Sequence, residues 1–271
     1  MFLNQQLVAL ASHPAALLVH PHAQRTGGGT LRNQVLAAGF GRARVYSRMF
    51  VTDWKPWATL TNEDLHGFRA YTDLFNYCDL PLARKCLPVA LLRDPIHRAV
   101  SLYHFVRRKE AHDLHNLAMS TGLEEFYRAA SGMNPRYFRN VQTSRICGKA
   151  DARLALEYIL TRYIAVGFTR DLNAFAETLS RLFNLSNVQV DQKASDRHAA
   201  QITPKFRETV LSQNEEDLAL FEVMSRGPPY RLKTLSIRGD AARRAKRLRD
   251  KGLAAGRGIG KRIQRLTSKT S

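Results

Sequence analysis

With 271 residues, 44% of them apolar and 24% charged, the chain can bury the core of one large domain and is too apolar for wholesale disorder. Forty-two Lys+Arg against 23 Asp+Glu leave a net charge of +19, which points to anionic partners: nucleic acid, a membrane surface, a phosphorylated ligand or a polyanionic substrate. Three cysteines, Cys78, Cys86 and Cys147, exclude a disulfide scaffold and fit a reducing, cytoplasmic setting, and no apolar run reaches the roughly 18 residues of a membrane span.

The charge divides the chain. Residues 238–271 hold twelve Lys/Arg against two Asp/Glu, a net of +10, which leaves +9 for residues 1–237. The expected organisation is one domain over 1–237 followed by a basic tail. Ala241, Ala245 and Leu248 in that tail share a helical spacing, but glycines interrupt it further on. Three readings stand for it: a disordered solubilising tail, a helix docked peripherally on an anionic membrane, or a polyanion-binding arm.

In chain order, the apolar segment Leu7–Val19 reads as the first buried strand, with the run Ala15–His20 passing into a loop, and the glycines Gly27, Gly28 and Gly29 follow it. Leu31, Val35 and Leu36 then keep helical spacing, with Gly39 or Gly41 as the stop. Residues 53–86 read as a long aromatic-rich connection or short helices. Leu87–Leu92 is a second apolar strand, and Pro95 suits the first position of a helix running through Val106. A loop over 110–123 precedes helices near 123–131, 137–147 and 151–162. Tyr163–Phe168 is a third strand, and Asp171–Phe183 is an amphipathic helix. Ser186–Val190 reads as a strand or a loop, and 203–225 as one or two closing helices. Strands alternating with helices predict an α/β fold: a central, mainly parallel sheet with helices on both faces.

Two stretches carry chemistry. In the first, His22-Ala23-Gln24-Arg25-Thr26-Gly27-Gly28-Gly29-Thr30, glycines let backbone N–H groups approach an anion and a helix N-terminus follows. Arg25 adds a fixed fork of donors, and Thr26 and Thr30 add hydroxyls. No Gly-Lys-Ser/Thr follows the glycines, which counts against an ATPase, GTPase or ordinary kinase loop. In the second, Arg93-Asp94-Pro95-Ile96-His97-Arg98-Ala99-Val100-Ser101, an arginine stands at a strand end and a hydroxyl on the next helix. Arg93 and Ser101, with Arg98 on the same side, can hold a second phosphate; the alternative is a local Arg93–Asp94 ion pair. Together the stretches describe a ligand with anionic groups at two separated positions.

These residues resemble the carbohydrate sulfotransferases that use 3′-phosphoadenosine 5′-phosphosulfate (PAPS), in particular the heparan-sulfate 2-O and 6-O enzymes and their bacterial relatives. LVHPHAQRTGGGTLRNQVL is similar to their 5′-phosphosulfate loop, and LLRDPIHRAVSLYHF to their 3′-phosphate motif, L-R-D-P-x-x-R-x-x-S. NVQTSRICG, YIAVGFTRDLNAFAETLSRLF and the weaker QNEEDLALFE follow in the family's order, so the likeness runs over about 15–225. The resemblance implies a P-loop-like sulfotransferase fold and transfer of a sulfuryl group from PAPS to an acceptor hydroxyl, expected on a carbohydrate, with no metal. It implies that Arg25, Thr26, Gly27, Gly28, Gly29 and Thr30 hold the 5′-phosphosulfate and that Arg93 and Ser101 hold the 3′-phosphate. Arg25 stands where relatives carry Lys, a residue assigned to steadying the leaving oxygen.

The resemblance also implies a catalytic base between the two motifs. His66 is the only histidine there and is the expected base, with Glu63 and then Asp53 as acidic alternatives. His22 matches a family position and reads as structural. Asn140, Gln142 and Thr143 match a stretch near the cleft and either touch the acceptor or tie a helix. Two rival functions stand beside this one. A phosphotransferase with a variant loop lacks the Gly-Lys-Ser/Thr signature. A non-catalytic polyanion- or nucleic-acid-binding protein explains the charge but not the spaced motifs, and no nucleic-acid-binding module is present.

Overall fold

A computed structural model describes residues 1–77, 85–186, 188–191 and 202–226. The basic tail and Cys78 lie outside the described residues.

Six strands form one sheet in the order β1-β6-β5-β2-β4-β3. β1 (Phe2–Leu3) runs antiparallel to β6 (Ala165–Phe168), and all other pairs are parallel. β2 (Leu17–Pro21) lies at the centre between β4 (Ala70–Asp73) and β5 (Cys86–Leu92), and β3 (Val45–Tyr46) closes one edge. The apolar runs form the buried parallel strands because helices cover both faces and leave no polar side. Leu17, Leu18 and Val19 are fully buried.

On one face, α1 (Gln5–Ala11), α2 and α9 (Leu172–Phe183) pack on the sheet through Leu31, Val35, Leu36, Phe175 and Leu179. α2 is continuous through Gly28–Thr30, a widened π-helical stretch Leu31–Leu36, and Ala37–Phe40, and it stops at Gly41 with φ +86°. On the other side, α3 (Pro95–Arg107) packs with α4 (His115–Ser120), α5 (Leu123–Met133), α6 (Pro135–Phe138) and α10 (Pro204–Gln213). α7 (Val141–Cys147), α8 (Ala152–Arg162) and α11 (Glu215–Ser225) complete that layer against β6.

The predicted α/β architecture is therefore observed. Four expectations are corrected. Gln5–Ala11 is a helix, started by the Asn4 side chain accepting from Gln6 N (3.1 Å). Two short strands, β3 and β4, sit inside or next to what read as connection. The loop over 110–123 contains the short helix α4. The 137–147 helix is broken, because Asn140 takes a left-handed conformation (φ +45°) between α6 and α7. The described residues of 186–190 form no strand.

Candidate functional site

β2 delivers the glycine loop to the carboxyl edge of the sheet. Arg25 (φ +67°) and Gly27 (φ +95°) are left-handed, so two successive bends fold the loop back over the strand end. For an arginine this conformation costs on the order of 1–3 kcal/mol and persists only where neighbours enforce it. Those neighbours are present. Thr26 Oγ1 donates to Ala23 O (2.8 Å), and Thr169 Oγ1, just past β6, donates to Thr26 O (2.7 Å) and Leu92 O (3.3 Å). The ends of β2, β5 and β6 thus fix one turn. The Thr26 hydroxyl is fully buried in this frame, so Thr26 supports the loop rather than facing a ligand with its side chain. At Gly28 the His22 ring lies directly on the backbone, and any Cβ would overlap it.

The second motif meets the first. Arg93 follows β5, the neighbour of β2, and its Nη1 donates to Arg25 O (3.0 Å). Arg25 Nε donates to Ser101 Oγ (3.2 Å) on α3, and its guanidinium lies 4.7 Å from the Phe105 ring centre. Arg25, Arg93 and Ser101, separated by up to 76 residues, therefore share one site. Burial, then Arg93 and Arg108, push the Arg25 pKa down to about 10. Asp94 does not simply neutralise Arg93. Its carboxylate caps α3, accepting from Ile96 N (2.9 Å) and His97 N (3.0 Å). Arg98 is not at the site. It is fully buried and donates to the Tyr137 and Phe138 carbonyls (3.3 and 2.7 Å) and to Asn214 Oδ1 (3.5 Å).

Two of the expected bases, His66 and Glu63, fall elsewhere. β4 runs parallel to β2, with Ala70 opposite Leu18 and Asp73 opposite Pro21. His66 and Glu63 are exposed in the turn before Ala70, at the amino end of the sheet, and the structure does not bring them to the loop. Asp53 is also exposed, but it follows the carboxyl end of β3, next to Trp54, whose ring centre lies 4.7 Å from the Arg48 guanidinium. The carboxylate that β4 does deliver to the site's edge is Asp73, which is 6% exposed. Asp73 O accepts from His22 N (2.8 Å), and its carboxylate accepts from Arg48 Nε (2.8 and 3.0 Å) and Leu74 N (2.7 Å). The sequence signal for it is an acidic residue ending the short run Ala70-Tyr71-Thr72-Asp73, which was hidden inside an irregular segment.

Two histidines back the loop. His20 is fully buried with Nδ1 2.9 Å from Thr72 Oγ1, and it stacks on His22 at 5.4 Å. Burial drives both pKa values down, His22 to about 4, with Arg32 adding to the effect. Both rings are neutral at pH 7.

Two helix N-termini and two arginines make the site basic, with the Asp94 carboxylate capping one of those helices. α2 begins at Gly28 and α3 at Pro95, so their positive ends face the same edge as Arg25 and Arg93. Cations at helix N-termini repel unless an anion joins them. The arrangement suits a ligand with two anionic groups and places one carboxylate, Asp73, beside it. Gly29 and Thr30 line the start of α2; a Cβ at Gly29 would meet nothing within 4 Å. Among the described residues, no group of three His, Cys, Asp or Glu is placed to hold a metal ion.

No protein-family model matches the chain, and no curated protein sequence does. Among solved structures, a sulfotransferase from Alicyclobacillus acidocaldarius aligns with 80% of this chain and 97% of its own, at 14% identity and a TM-score of 0.46.

Proposed function

We propose that the chain transfers a sulfuryl group from PAPS to an acceptor hydroxyl, on a carbohydrate. The observation that carries this is the meeting of Arg25, Arg93 and Ser101 at two adjacent strand ends, beside the N-termini of two helices. The motif likeness of both stretches to PAPS-binding sequences supports the same donor.

In this reading the loop backbone from Arg25 to Thr30 binds the 5′-phosphosulfate, and Arg93 with Ser101 binds the 3′-phosphate. The sulfur–oxygen bond to the 5′-phosphate breaks as a bond to the acceptor oxygen forms. Arg25 steadies the negative charge that grows on the departing phosphate oxygen, without having to give up a proton. Asp73 accepts the acceptor's hydroxyl proton, and Arg48 keeps its carboxylate turned toward the edge. Thr26, Thr169 and His22 hold the loop in its strained shape.

Thermal denaturation tests the donor class. 3′,5′-Adenosine diphosphate should raise the Tm by several degrees, and ATP with magnesium by much less. A preference for ATP with magnesium would favour phosphoryl transfer and overturn the proposal. Labelled sulfate passing from PAPS to a polysaccharide, but not to peptide or lipid acceptors, would establish the acceptor class.

A further inference from the structure

Arg93 stands just past the end of β5, where the sheet no longer satisfies its backbone. The side-chain amide of Gln142 takes over. Arg93 N donates to Gln142 Oε1 (2.8 Å), and Gln142 Nε2 donates back to Arg93 O (2.9 Å). One planar amide therefore grips both polar groups of the peptide that carries the guanidinium.

Gln142 is itself fixed. It is 1% exposed, and its Nε2 and backbone N both reach Asp217 Oδ2 (3.4 and 3.0 Å). The other carboxylate oxygen of Asp217 accepts from Thr143 N (2.8 Å) and Thr143 Oγ1 (3.0 Å). Asp217 is 1% exposed and lies on α11, 75 residues beyond Gln142. It does what an N-cap side chain would do for α7, satisfying amides in the first turn. Asn140, the local N-cap, cannot do this because its own backbone is left-handed. Its Oδ1 instead accepts from Glu216 N (3.1 Å) and Asp217 N (3.2 Å), capping α11 in return. Two helices distant in sequence cap each other, and the amide between them holds Arg93.

We infer that Gln142, oriented by Asp217, is a positioning residue for recognition of the 3′-phosphate. The inference rests on the proposed reading of Arg93 as the 3′-phosphate ligand. A buried carboxylate with four donors is expensive to disturb, so the chain Asp217–Gln142–Arg93 fixes the origin of a long, flexible guanidinium side chain to one place. At its far end the same guanidinium donates to the Arg25 carbonyl, which fixes its tip as the amide fixes its root.

The test compares dissociation constants for 5′-AMP and 3′,5′-adenosine diphosphate, measured by calorimetry on the full chain at one ionic strength. Their ratio reads recognition of the 3′-phosphate alone. In the unaltered protein the ratio should be large, and Arg93→Ala should bring it near one. Gln142→Met, close in shape but without the amide, should lower the ratio about tenfold while changing 5′-AMP affinity less than twofold. Asp217→Asn, which keeps one acceptor oxygen, should lower it about threefold. In an Arg93→Ala background, Gln142→Met should add nothing. An unchanged ratio in folded Gln142→Met, or equal weakening of both nucleotides, would overturn the inference and mark the network as purely structural. If Gln142→Met does not fold, Asp217→Asn decides by the same ratio. A ratio near one in the unaltered protein would instead remove the 3′-phosphate reading itself.

Discussion

Both edges of the parallel sheet carry arginines, but for opposite electrostatic reasons. At the amino edge, α1, α2 and α9 end, and Arg44, Arg69 and Arg181 line a cavity of about 450 Å³ beside Ala11, Phe40 and Phe183. There the cations complement the carbonyl ends of helices, which is where a cation stabilises a fold. At the carboxyl edge, α2 and α3 begin, and Arg25 and Arg93 sit against the N–H ends of helices, where a cation destabilises. The same residue type is structural support at one edge and, in the proposed function, a ligand for anions at the other. The lesson is that a count of basic residues does not find the site, whereas their position relative to helix polarity does.

Substitutions can break this contrast. The largest effect is expected for Arg25→Ala, about a 10³-fold fall in kcat for sulfate transfer, as for loss of a donor to developing charge. A fall of less than tenfold would remove Arg25 from the chemistry. Asp73→Asn should lower kcat about 10²-fold while leaving 3′,5′-adenosine diphosphate affinity within threefold. Equal loss of both would make Asp73 a brace for Arg48 and not a base.

The histidines predict a pH effect on stability. His22 is held neutral down to about pH 4 in the folded chain, while an unfolded histidine protonates near 6.5, so the unfolded state binds more protons between those values. Stability should therefore fall as pH drops from about 6.5 to 4, by on the order of 2 kcal/mol from His22. Urea denaturation across that range checks it, and His22→Asn should flatten the slope. Arg93→Ala should weaken 3′,5′-adenosine diphosphate binding about 10²-fold, the loss of one charged hydrogen-bond donor set, seen by calorimetry. The smallest effect belongs to the amino edge: His66→Ala should change kcat less than twofold. A large loss there would contradict the assignment of the chemistry to the carboxyl edge.

Much of this was legible in sequence, and the failures have physical causes. The strands at Leu17–Pro21, Cys86–Leu92 and Ala165–Phe168 announce themselves because strands buried on both faces must be apolar throughout. β4 escaped because four residues containing Tyr71, Thr72 and Asp73 carry no such run. Missing β4 left Asp73 unread: the resemblance named His66, Glu63 and Asp53, and without a strand direction nothing said which end of the sheet each would reach. Arg98 was misplaced for a different reason. Helical spacing gives a face but does not say what packs there, and Tyr137, Phe138 and Asn214 close over it.

The sequence by itself determined the alternation of strands and helices, the glycine turn and the two anion-binding stretches. These follow from local rules: hydrophobic period, the conformations glycine permits, and proline at a helix start. Only the tertiary structure decided which residues meet. The Arg25–Ser101 contact, the delivery of Asp73 to the loop and the exclusion of His66 all depend on strand order and direction. So does the reciprocal capping that ties Asp217 through Gln142 to Arg93. Such contacts join residues tens of positions apart, and they arise from how layers pack, which no local pattern records.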